Sequence, residues 1–566
     1  MGKKVNFLQN FFHSFKQKIT HYFFLFKKDK IKWNIIFPVT TIVGIICFWF
    51  VANYYHDAGR ISKRSIAILP FVNLSDNKHN EYFADGMTDE IIGQISKISD
   101  IMIISRNSVF QYKDTEKEIS KIADELGVAT IFTGNINLDK ENLIISGKLI
   151  DSRSGNSLWD KTYNEQLDNV FNIQNDFVEM ITNSLNARLS RREKNILNSK
   201  PTDSIKAYNL YLNGRSEYYK YTYQALERSI VYYKQALNFD PSYALAYNGM
   251  TDSYSKMFLI NQDQLYGELS LQSSTRTLLI NNDLPEAYSS RAIIMNYLGR
   301  ISESIELNEK AIELGIPSEL LNLGINYWDK GDLSKALKHQ INLKVNDPYN
   351  SEHLMRLGWI YQSLEAYDDF NYMITESIDK KPNDIELNWI LIHQYCFEGE
   401  WDKARKLIER LIVLDAGNNY VDQLASDFFL FSRDFNEALK HFQKIKNMSF
   451  DQKIALSFLL YRKWGKAWAT PILEEIITSK LERITQGGDI SSLTRLNLSK
   501  AYSVIGDKES AIQWLEDSVS KGWTHYKLIE IDPRFDIIRE DPRYQAQIES
   551  MKLIISRERI ESGYKS

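Results

Sequence analysis

Leucine recurs at Leu323, Leu357 and Leu391, 34 residues apart each time, and tyrosine keeps the same step at Tyr327, Tyr361 and Tyr395. A period of that length restricts the fold more than any other feature of the chain, because one short unit cannot bury its apolar face alone and must stack on copies of itself. Two further registers agree. Ala336, Phe370, Ala404 and Ala438 recur in the second half of each unit, and Pro348 and Pro382 stand at the boundaries. Gly324 and Gly358 follow the first two leucines. Small residues let paired helices approach closely, the tyrosine fills the gap to the next unit, and the proline ends one helix before the next begins. The expectation is a stack of helical hairpins over residues 204–450, followed by helical C-terminal repeats and a cap over 451–566. No register is assigned to 447–490.

Leu-Gly, Tyr, Ala and Pro at these offsets form the tetratricopeptide pattern. SIVYYKQALNFDPSYALAYNGMTDSY fits it more loosely, and LNLSKAYSVIGDKESAIQWLEDSV near the end reads as another helix pair with Gly506 at its turn. Ahead of the repeats the pattern is different. IAILPF and DIMIISR read as short buried strands, with Met87, Ile91, Ile95 and Ile98 at helical spacing between them. Ile119, Ile122 and Leu126 predict a second helix that stops at Gly127. VATIFTGNINL, LIISGKLIDS and SLWDKTYN predict three strands joined by hairpin loops, and Ile173, Phe177, Ile181, Leu185 and Leu189 a long helix. The order βαβαβββα describes an α/β domain over 65–190, and residues 190–203 read as a linker.

Residues 33–55 carry no charge and are long enough to cross about 30 Å of hydrocarbon as a helix. Eight lysines precede this span, against Arg60, Lys63 and Arg64 just after it. The positive-inside rule makes 1–32 a basic cytoplasmic segment and places the bulk of the chain in the periplasm, as a single-pass protein of a bacterial inner membrane. The fold class predicted is therefore an α/β domain followed by an all-α tetratricopeptide solenoid, with one N-terminal transmembrane helix.

A net charge of -4 gives no electrostatic footprint for nucleic acid. The two cysteines, Cys47 and Cys396, lie too far apart in sequence to form a CxxC site, and the histidines show no HxxxH or HExxH spacing. Neither a metal nor any other cofactor is expected. Asp85, Gly86, Thr88 and Asp89, after the first strand, have the place of an anion-binding loop but lack a GxxxxGK[ST] or GxGxxG frame, and read as a turn followed by a helix cap. His79 in NKHNE reads as a solvated surface histidine, and Cys396 as a buried apolar residue rather than a nucleophile.

SIAILPFVNLS, EYFADGMTDEI, IISRNS, ELGVATIFTGNI, GKLIDSRSGNSLWDKTY and DNVFNIQNDFVEMI together resemble the TolB amino-terminal-like or FlgO-like domain. That module occurs with tetratricopeptide repeats behind it, in bacterial proteins whose front end is often a class III adenylate cyclase or a CadC-like winged-helix regulator. The resemblance covers residues 65–552. It implies a cap in WTHYKLIEIDPRFDIIREDPRYQAQIESM, while the short stretch before residue 33 leaves no expectation of a cyclase or winged helix. The function expected is a membrane-anchored, non-catalytic scaffold that docks proteins or peptides through its array and its α/β domain. Tyr218, Tyr219, Tyr221 and Tyr223, read as an exposed turn, are the candidate partner contacts. Two rivals stand beside this reading: a sensing subunit that signals to a separate effector, and an enzyme with an unrecognised site in the α/β domain, for which Asp85→Ala is the test.

Overall fold

The computed structural model describes residues 64–197, 200–261, 263–316, 320–415, 417–446, 448–485 and 490–564. The sheet begins with β1 (Ser65–Ile68), whose four side chains are all buried, as suits a parallel strand covered on both faces. With β2 (Val72–Asn73) it runs parallel to β4 (Thr130–Asp139), while β3 (Met102–Ile103) lies parallel to β1 on its far side. β4, β5 (Asn142–Asp151) and β6 (Ser157–Gln166) complete an antiparallel meander. Four helices accompany this sheet: α1 (Glu81–Ser96), α2 (Arg106–Phe110), α3 (Ile119–Leu126) and α4 (Val170–Ser184). Phe83, Met87, Ile91 and Ile95, four residues apart, are the buried stripe of α1.

Asp85, Gly86, Thr88 and Asp89 all lie inside α1, which corrects the turn-and-cap reading. The Thr88 hydroxyl accepts the Phe71 N–H at 3.0 Å and donates to the Ala84 carbonyl at 2.9 Å, so it secures the loop after β1 from within the helix.

From Ile205 the chain is a run of helical hairpins, starting with Ile205–Tyr218 and Tyr223–Phe239 and ending with Ser492–Ile505 and Lys508–Ser520. Leu323, Tyr327, Ala336, Leu357, Tyr361, Ala404 and Ala438 are buried, whereas Leu391 and Tyr395 are only partly so. A Cβ at Gly358 would come within 2.8 Å of Ile390, and one at Gly324 within 3.0 Å of Gln340. Pro348 packs against Gly127 of the α/β domain, and Pro382 is exposed. The expected linker holds a short helix, Arg191–Leu197, and residues 447–490 contain the pair Phe450–Trp464 and Lys466–Thr485.

The C-terminal residues cover the last hairpin and then go further than a cap, folding back on the middle of the array. Trp523 lies 5.8 Å from Trp328, which stacks on Trp359 at 6.0 Å. The His525 ring sits 5.0 Å from Phe397. Glu558 accepts the Ser334 N–H at 2.9 Å, and Arg559 donates to the Glu365 carbonyl at 2.8 Å. At the tightest point Gly522 meets the backbone of Lys330 and Gly331. Trp328, Trp359 and Phe397 belong to the first helices of successive hairpins, so this face of the middle repeats is already filled by the chain itself.

A buried ion cluster anchors that closure. Arg534 bonds Asp532 at 2.7 Å and Asp451 at 2.9 Å, and Lys500 bonds Asp451 at 2.8 Å. Beside it, burial and then the charge of Asp451 push the Asp427 carboxyl from its usual 3.8 up to about 7, against the pull of Arg534 and Lys500. A carboxyl raised on folding contributes stability that is complete at acid pH and is lost as pH rises through its folded value. His393 and His525, held down to about 4 and about 3 by burial, act in the opposite sense, and their contribution is complete above their usual 6.5. Asp427 therefore lowers the melting temperature as pH rises from about 4 to about 7, the interval over which the two histidines raise it. Asp427→Asn should therefore gain melting temperature relative to wild type as pH rises from about 4 to about 7 and hold that difference above it, read by calorimetry.

The placement as a single-pass inner-membrane protein with its bulk in the periplasm does not stand. Among the described residues no helix is long and apolar enough to cross a membrane. Residues 1–32 and 33–55, on which that placement rested, lie outside the described residues.

Candidate functional site

The α/β domain is seated on the array at two places, one on its first helix and one at the junction after its fourth hairpin. Gly86 of α1 faces Leu212 so closely that a Cβ there would fall 2.8 Å from a leucine methyl. At the other end, Ser105 and Ser108 donate their hydroxyls to Asp347 at 2.6 and 2.8 Å, and the Asn350 amide joins the same carboxylate at 3.3 Å. Between these contacts lies a cavity of about 460 Å³, walled by α1, by the segment 101–107 and by helices of the first five hairpins.

Asp89 organises one wall. Its carboxylate is 3.4 Å from Arg106 and 3.1 Å from Arg215, and it accepts the Tyr219 hydroxyl at 2.9 Å. The Arg106 guanidinium lies between two rings, 3.6 Å from the centre of Phe110 and 3.5 Å from that of Tyr219, the stacking that a planar cation favours. Burial raises the Tyr219 hydroxyl well above its ordinary value, which keeps it a donor. Across the cavity Lys97 pairs with Glu286 at 2.7 Å.

Other groups in the wall are less completely satisfied. Burial, followed by the charge of Asp89, pushes the Glu90 carboxyl up to about 7, against Arg215 and Lys97. Asn248 and His353 are 6% and 8% exposed, and among the described residues Asn248 Oδ1 and His353 Nδ1 have no hydrogen-bond partner. Burial holds the His353 imidazole below its usual 6.5, so it is neutral near pH 7. A buried polar atom without a partner is costly, and a cavity edged by two of them is suited to a polar guest.

The tyrosine cluster is not a free turn. Tyr218 ends the helix Ile205–Tyr218, Tyr219 faces Asp89 and Arg106, and Tyr223 opens the next helix with its hydroxyl 2.6 Å from that of Tyr266. Tyr221, 49% exposed, is the open member. Asp85, the residue named to test the enzyme rival, does not line the cavity and is paired with Lys113 at 2.5 Å. Cys396 is buried in a repeat helix, its thiol pushed up to about 12 by that burial. Among the described residues no group of His, Cys, Asp and Glu is placed to hold a metal ion. Sequence reasoning reached Asp89 but missed Arg106, Arg215, Asp347, Asn350 and His353. These stand on separate segments, so no local motif joins them.

No protein-family model matches the chain. It is 29% identical over 248 residues to "Putative adenylate cyclase 3" of Rhizobium meliloti, an alignment covering 43% of this chain and 42% of that protein. Tetratricopeptide repeat protein 13 of Homo sapiens is 26% identical over 151 residues, which cover 25% of this chain and 17% of that one. The chain thus spans less than half the length of either relative. Among solved structures, a human IFIT1 dimer with PPP-AAAA superposes with a TM-score of 0.35 at 16% identity, over 62% of this chain and 78% of that one. Yeast Tom70 gives 0.33 at 14% identity, over 68% and 98%. The period and the helix pairs make the helical part a tetratricopeptide-like array behind a small mixed sheet.

Proposed function

We propose that the chain is a non-catalytic scaffold that docks partner proteins, and that the seam cavity takes a small polar solute which sets how firmly the α/β domain sits on the array. The observation that carries this reading is the pair of buried polar atoms on Asn248 and His353, without a partner among the described residues, in a cavity shared by both parts. Ligand sites favour such junctions and commonly measure about 300–1,000 Å³ with a few polar groups in an apolar wall. The motif match over residues 65–190 supports the TolB amino-terminal-like or FlgO-like assignment. The alignment with part of a relative named for adenylate cyclase supports a setting in signalling.

The test is a thermal-shift screen of the purified protein against fractionated small molecules from the producing cells. A fraction that saturates the site about a hundredfold above its Kd is expected to add about 2.7 kcal/mol of stability, visible as a rise in melting temperature. His353→Phe should fold and lose that rise. If every fraction leaves wild type and variant alike, the solute part of the reading fails and docking rests on the array alone.

A second reading, an enzyme, is favoured by one observation. Glu90, poised near neutrality beside Arg215, has the titration that proton transfer uses. It requires a turnover that Glu90→Gln abolishes without unfolding the protein, and a solute that binds Glu90→Gln unchanged and is never transformed would sink it.

A further inference from the structure

The hairpin formed by the helices Phe450–Trp464 and Lys466–Thr485 turns on one residue, Gly465, and its tip carries the sequence YRKWGKAW over 461–468. All eight residues are exposed. Large apolar side chains are normally withdrawn from such a point, yet Tyr461 is 42% exposed, Trp464 46% and Trp468 60%. The two indoles lean on each other, with centroids 5.5 Å apart and planes at 43°, so they form a fixed ledge rather than two loose rings.

Charge sets the partner. From residue 452 to residue 473 the chain has four cations, Lys453, Arg462, Lys463 and Lys466, and no acid, in a protein whose net charge is -4. Among the described residues no carboxylate lies within 4.0 Å of Arg462, Lys463 or Lys466, although Arg462 rests over the Phe435 ring and Lys463 over Trp464. An exposed apolar patch rimmed by one sign of charge marks an interaction site, and Trp, Tyr and Arg are the residue types that dominate binding energy in protein interfaces. We propose that this tip docks an acidic segment of a partner protein, with an apolar side chain of that segment seated against Trp464 and Trp468. The proposal names the partner chemistry for the docking reading above and is independent of the seam cavity. The two rings, already leaning on each other, lose little freedom on binding.

The probes are two labelled synthetic peptides, one of Asp and Glu around a central Phe and one with Lys in place of the acids, and vesicles of phosphatidylglycerol. Fluorescence anisotropy of the full chain is expected to show binding of the acidic peptide, weakened by salt, and no binding of the lysine peptide. Trp464→Ala with Trp468→Ala should weaken that binding about tenfold or more, while circular dichroism and melting stay as in wild type, since both side chains are exposed. Equal binding of the two peptides, a double variant that binds as wild type does, or binding of vesicles without the acidic peptide would each overturn the proposal. A partner crosslinked elsewhere on the array that the double variant still retains would also overturn the tip, while leaving the docking reading in place.

Discussion

Arg534→Ala is expected to lower the unfolding free energy by about 3–5 kcal/mol, the usual result of removing one partner from a buried ion cluster. Arg534 is 2% exposed, and Asp532, its nearest carboxylate, is fully buried. The guanidinium spans both acids: one nitrogen faces Asp532 at 2.7 Å and another faces Asp451 at 2.9 Å. Its loss leaves two negative groups with Lys500 as their one cation among the described residues, 2.8 Å from Asp451 but 3.8 Å from Asp532. The favourable field that now holds the Asp451 carboxyl far below its ordinary value would shrink, and protonation of one acid becomes the cheaper state. Urea denaturation should show a lower midpoint with the slope preserved, and the loss should shrink at acid pH. Arg534→Lys should fall between, since a point charge cannot reproduce the two-pronged contact. A loss for Arg534→Ala within about 1 kcal/mol would mean that the cluster does not hold the C-terminal segment.

Gly522→Ala is expected to cost about 2–5 kcal/mol, from backbone strain and overpacking together. Gly522 has φ of +110°, and a Cβ there would sit 2.3 Å from the carbonyl carbon and oxygen of Lys330. Those atoms are main chain of another hairpin and cannot rotate aside as a side chain would. Gly506→Ala isolates the two effects, because Gly506 has φ of +97° with nothing within 4 Å of a Cβ. It should lose only the conformational part, about 1–2 kcal/mol. Limited proteolysis should then release the C-terminal segment in Gly522→Ala and spare it in Gly506→Ala. Equal losses in the two variants would show that the close approach of Gly522 to Lys330 is not required.

The repeats were legible because their cause is local: the spacing of Leu323, Leu357 and Leu391 reports the stacking step directly. The strands were legible too, because isoleucine runs such as IAILPF leave few alternatives. What escaped was contact between distant segments. Asp89 looked like part of a cap because its partners, Arg215 and Tyr219, come 126 and 130 residues later. The tyrosines at 218–223 looked exposed because polar neighbours surround them in sequence, while the surface that covers Tyr219 belongs to the α/β domain. Leu391 and Tyr395 kept the period yet are not fully buried, since position within a unit does not determine what packs on it.

The return of the C-terminal segment to the middle of the array also governs how the protein is made. A simple solenoid can lock each unit as it leaves the ribosome, since each needs only its neighbour. Here the indole of Trp328 waits for Trp523, and at ordinary synthesis rates the roughly 195 residues between them take about 10–40 s. During that interval Trp328 and Trp359 are open to the chaperones that greet a nascent chain. A premature stop shortly before Trp523 would therefore strip the middle of the protein rather than trim its end.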